Sequence, residues 1–69
     1  MKYINFKELG IIIFPDDIEH IRMAKVIGRK ALSAGFVKCK EPECFGVSGS
    51  LHIESDPEDS LILTKLMRH

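Results

Sequence analysis

Short apolar runs separated by turn residues organise this chain. Lys2 to Phe6 carries Tyr3, Ile4 and Phe6 and reads as a short strand, and Lys7-Glu8-Leu9-Gly10 reads as a turn. The run Ile11-Ile12-Ile13-Phe14 is continuous, β-branched and aromatic, as in a central strand or one covered on both sides, and it stops at Pro15. A helix is predicted from Pro15-Asp16-Asp17-Ile18-Glu19 to about Ile27. Asp16 and Glu19 have the spacing of a capping box, and Gly28 suits a left-handed end. Ile18, Ile21, Ala24 and Ile27 make one stripe, and Met23 and Val26 widen it towards a second neighbour.

The segment Ala31 to Ile53 reads as one long β-hairpin closed by Lys40-Glu41-Pro42-Glu43. In this register Cys39 faces Cys44, and Lys38, Phe36, Ala34 and Leu32 face Phe45, Val47, Gly49 and Leu51. One face is then bulky and apolar. The other holds Ala31, Ser33, Gly35, Val37 and Cys39 with Cys44, Gly46, Ser48, Ser50 and His52. It is either an ordinary solvent face or a surface kept low so that another backbone, subunit or ligand approaches closely.

Asp56 and Pro57 start a second helix, with acidic residues in its first turn and Lys65, Arg68 and His69 near its end. Its apolar side is Ile62, Leu63, Leu66 and Met67. The order is β-β-α-β-β-α. The expected fold is α+β: a single domain over residues 1–69, with a four-stranded, mainly antiparallel sheet and both helices on one face. The expected core is Ile4, Phe6, Ile11, Ile13, Ile18, Ile21, Ile27, Leu32, Phe36, Val47, Leu51, Ile62, Leu63 and Leu66.

Composition narrows the function classes. At 69 residues a single core is close to the lower size limit, a limit often met by association. Ten basic and ten acidic residues cancel, so the whole chain has no electrostatic footprint for nucleic acid. The apolar runs are too short to span a bilayer or form a secretory leader. A cytoplasmic protein without membrane association is expected.

Two cysteines are too few for a disulfide framework, and a reducing compartment would keep them as thiols. A zinc set of Cys39, Cys44 and His52 fails on distance. In the expected register His52 lies roughly 27 Å along the strand from Cys44. His20 is expected at the surface, without a nucleophile to serve. His52 near Ser48 and Ser50 invites a hydrolase reading, but no nucleophile elbow or orienting acid accompanies it. Helix capping accounts for the groups Asp16, Asp17, Glu19 and Asp56, Glu58, Asp59. No catalytic, metal or cofactor site is therefore assigned.

The pattern Ser33-Ala34-Gly35-Phe36-Val37, Phe45-Gly46-Val47-Ser48-Gly49-Ser50-Leu51 and Ser55-Asp56-Pro57-Glu58-Asp59 resembles small uncharacterised proteins encoded by phages and prophages. The resemblance covers about half the chain. It implies a bacterial or phage setting and no activity. The expectation is a small non-enzymatic interaction module that binds another protein, from the host or a second copy. Its candidate face is Ser33, Gly35, Val37, Gly46, Ser48, Ser50 and His52. The alternative is a nucleic-acid-binding regulator using Arg22, Lys25, Arg29, Lys30, Lys38 and Lys40, and a small hydrolase ranks below it.

Overall fold

A computed structural model describes residues 1–38 and 43–67, and of Met67 the backbone alone. The expected loop Lys40-Glu41-Pro42-Glu43, apart from Glu43, lies outside the described residues, as do Cys39, Arg68, His69 and the side chain of Met67.

Strands β1 (Lys2–Phe6) and β2 (Gly10–Phe14) form a tight antiparallel hairpin in which Phe6 pairs with Gly10. Glu8 and Gly10 take positive φ in the turn (69° and 97°), as three-residue hairpin connections demand. Helix α1 (His20–Ile27) follows, then β3 (Ala31–Lys38) and β4 (Glu43–Phe45). A two-stranded ribbon, β5 (Val47–Ser48) and β6 (Ile53–Glu54), precedes helix α2 (Pro57–Met67). The main sheet has the order β2-β1-β3-β4, antiparallel throughout. The chain is thus α+β with a four-stranded antiparallel sheet and two helices, as the patterning indicates.

The helices, however, lie on opposite faces. Side chains alternate along β1, so Tyr3 belongs to one cluster and Ile4 and Phe6 to the other. Ile4, Phe6, Phe14 and Ala34 pack with Met23, Ala24 and Ile27 of α1. Tyr3, Val37 and Cys44 pack with Leu63 of α2. The expectation of both helices on one face fails because β1, β2 and β3 are apolar on both faces, and each face needs its own cover.

The long hairpin is also cut short. Phe36, Val37 and Lys38 pair with Phe45, Cys44 and Glu43, two residues away from the expected register. A two-residue shift leaves each side chain on its face, so Val37 and Cys44 remain neighbours. At Gly46 the backbone turns to φ 76°, and the chain leaves the sheet to form β5 and β6. The order therefore gains two short strands. Leu32 and Val47, freed from the expected pairing, are 55% and 52% exposed. Ile13, Ile62 and Leu66 are likewise exposed rather than core, while Tyr3, Phe14, Ala34, Val37 and Cys44 are buried in their place.

The helix ends divide. Gly28 closes α1 in the left-handed region, its N–H donating to the Ala24 carbonyl. The capping box does not form: Glu19 is the N-cap without a side-chain bond, and Asp16 pairs with the N-terminal ammonium at 3.1 Å. The turn closed by the Ile18 N–H on the Pro15 carbonyl delays the helix, because proline sets its own φ. At α2 the expected cap is present: Asp56 Oδ1 accepts from the Glu58 N–H at 2.9 Å.

Candidate functional site

The richest group of reactive side chains lies beneath α2. Asp59, in the first turn of that helix, is 1% exposed and points into the sheet. Its carboxylate accepts from the Tyr3 hydroxyl at 2.8 Å, the Asn5 amide at 3.0 Å and the Ser33 hydroxyl. Tyr3 and Asn5 stand two apart on β1, on one face, and Asn5 pairs with Ser33 on the neighbouring strand, so strand alternation supplies all three donors. Tyr3 in turn accepts from the Asp56 N–H at 3.4 Å, and Ser60 Oγ accepts from the Cys44 N–H at 2.8 Å.

Burial first, then the hydrogen bond to Asp59, raises the Tyr3 phenol far above its ordinary range. Burial, with the nearby Asp59 charge second, also pushes up the Cys44 thiol. Both groups are held protonated, which suppresses nucleophilic chemistry. No buried side-chain nitrogen or oxygen lacks a partner among the described residues. The cluster fastens α2 to the sheet through a buried carboxylate met by three donors.

His20 is not at the surface. It is 4% exposed, its Nε2 donates to the Gly35 carbonyl at 2.8 Å, and its ring stands nearly perpendicular to those of Phe14 and Phe36. This fixes the first turn of α1 to the centre of the sheet.

The small face has an occupant from its own chain. Ser33, Gly35, Val37 and Ser48 are buried, while Gly46 and His52 are exposed and Ser50 is half-buried. They do not make one open surface. A Cβ on Gly35 would collide with the Phe45 carbonyl oxygen and meet Ser55 Cβ at 3.1 Å, so the absent side chain makes room for the chain's own return. Ser48 Oγ accepts from the Leu51 N–H, and Ser50 Oγ accepts from the Ile21 N–H. His52 sits in the ribbon turn with φ 57°. Both serine hydroxyls accept from backbone donors, and among the described residues neither side chain bonds to the His52 ring.

Arg22, Lys25, Arg29, Lys30 and Lys38 are exposed, with Arg22 and Lys25 one turn apart on α1, whereas Lys30 and Lys38 stand at opposite ends of β3, about 26 Å apart. Lys38 pairs with Glu43 at 3.6 Å, and Lys40 lies outside the described residues. No group of three or more potential metal ligands occurs among the described residues. No helix among them is long and apolar enough to cross a membrane.

Large apolar side chains also remain open. Val26 on α1 is 81% exposed, and Leu61, Ile62 and Leu66 on α2 are 66%, 41% and 58% exposed. Ile18, Met23 and Val26 line an open groove of about 400 Å³, with Asp17 and Arg22 at its polar margin. Patterning placed Ile18, Ile62 and Leu66 in the core, had Met23 and Val26 widen the α1 stripe towards a second neighbour, and left Leu61 unassigned.

Fold and site together define a small α+β domain with saturated interior polar groups and uncovered helix flanks. Comparison with known proteins found no matching family model, no matching curated protein and no matching solved structure.

Proposed function

We propose that this protein is a small non-enzymatic interaction module that acts by binding another protein. The observation behind this reading is a contrast. Chemistry-bearing side chains such as Tyr3, Ser33, Cys44 and Asp59 are consumed by internal contacts, while large apolar side chains on both helices face solvent. Exposed apolar side chains that group together favour association with another surface. A bacterial or phage setting belongs to the same reading and rests on the sequence resemblance alone.

The test is quantitative capture from bacterial lysate with the chain immobilised, with and without nuclease. Each bound protein is then purified and titrated against the chain and its Val26→Asp and Leu66→Asp variants. A purified partner that binds directly, survives nuclease and is lost with either variant supports the module. Retention only of proteins that nuclease removes argues instead for the nucleic-acid reading.

A further inference from the structure

The two uncovered helix flanks are turned to the same edge of the sheet. On α1 the Ile21 N–H donates to Ser50, so that side of the helix meets the loop of the β5–β6 ribbon. Val26 lies about 140° further round the helix, on the side towards β2. On α2 Ser60 meets β4 through the Cys44 N–H, and Ile62 lies about 200° round from it, again towards β2. Ile13, paired with Tyr3 and so on the α2 face, is 37% exposed. Between the flanks runs β2, an outer strand of the sheet whose residues Gly10–Phe14 include no charge and no proline. Exposed edges in monomers are commonly blunted by such residues.

We infer that β2 is the docking edge for a second copy of this chain. It pairs antiparallel with its twin about a two-fold axis lying between the two strands, opposite their midpoints, so that two four-stranded sheets become one of eight. The inference rests on the interaction-module reading and names its partner.

Three observations select a second copy. An antiparallel pair of identical strands has its two-fold axis normal to the sheet, so each face is preserved. The two α1 flanks, with Val26 and Met23, then face each other across the axis on one face of the joined sheet. The two α2 flanks, with Ile62 and Leu66, do so on the other, and each covers what its twin exposes.

The charges also complement. Asp16, Asp17 and Glu19 precede or open α1, and Lys25, Arg29 and Lys30 lie at or beyond its end. In α2 Glu58 is in the first turn and Lys65 in the last. Antiparallel packing sets the acidic end of each helix beside the basic end of its twin, and the chain's net charge of zero adds no overall repulsion. A standard interface takes about 800 Å² from each partner, roughly a sixth of this chain's 4820 Å² surface.

The experiment is sedimentation equilibrium on the full chain from micromolar to millimolar concentration, with amide hydrogen exchange read at both extremes. The expected result is a monomer–dimer equilibrium, with β2 amides gaining protection as concentration rises. Val26→Asp and Leu66→Asp sit at open positions, so their circular dichroism should match the wild type. Each should weaken the dimer about tenfold or more. A wild type that stays monomeric at millimolar concentration overturns the inference. So does a dimer indifferent to both variants, or one whose new protection falls outside β2. A monomer that still binds a purified partner through the same flanks leaves the interaction-module reading standing, so the two failures are distinguishable.

Discussion

Asp59 shows how much a single side chain decides here. Its sequence position, three residues after the cap Asp56, is fully explained by helix-start chemistry, and nothing local marks it as buried. Only the sheet brings Tyr3, Asn5 and Ser33 to it. Replacing it with alanine strands the buried Tyr3 and Ser33 hydroxyls and the half-buried Asn5 amide, at a cost of about 3–5 kcal/mol. A core of this size rarely supplies more than that. Asp59→Ala is therefore expected to be largely unfolded at room temperature by circular dichroism, while Asp56→Ala, a lost cap, should cost about 1 kcal/mol in urea titration.

Tyr3 gives the pH counterpart. Its phenol is raised in the folded state, so the unfolded chain loses this proton first as pH climbs. Its contribution is present below the ordinary tyrosine value of about 10 and declines above it. Urea midpoints should fall beyond that pH, and the fall should shrink in Tyr3→Phe.

At the scale of elements, strands and helix ends were legible where the signal is local. Lys2–Phe6 as a strand, Gly28 as a left-handed end and Asp56-Pro57 as a helix start all depend on neighbours within a few residues. The long hairpin was not, because alternation continues past Phe45 while the backbone does not. Gly46 carries the turn, and Gly35 opposite admits it. Gly35→Ala should cost about 1–3 kcal/mol by forcing the backbone at Phe45 and Gly46 aside. Gly49, which the expected hairpin put on the core side, has open space where a Cβ would go. Gly49→Ala should move the thermal midpoint little. The contrast between the two glycines checks the observed path against a continuous hairpin.

At the scale of the molecule the question is which apolar surface is core and which is interface. Ile62 and Leu66 share α2 with Leu63, and the three look equivalent in a hydropathy pattern. Yet Leu63 is 2% exposed and its neighbours 41% and 58%. With helices on opposite faces, each reaches only part of the sheet, and the strip along β2 is left open. If a second copy covers it, the thermal midpoint should rise with protein concentration, since mass action favours the species that binds. In Val26→Asp that rise should disappear.

Local patterning was enough for the α+β class, the first hairpin, the presence of both helices and the side-chain parity of β3 and β4. These follow from periodicities of two and near four and from turn residues acting over a few positions. Tertiary structure alone decided which face each helix covers, the two-residue register shift of β3 and β4, the burial of Asp59 and His20, and the filling of the small face by α2 and by the chain's return at Phe45 and Ser55. Those outcomes depend on residues distant in the chain competing for the same apolar area and hydrogen-bond partners, and a one-dimensional pattern does not contain that competition.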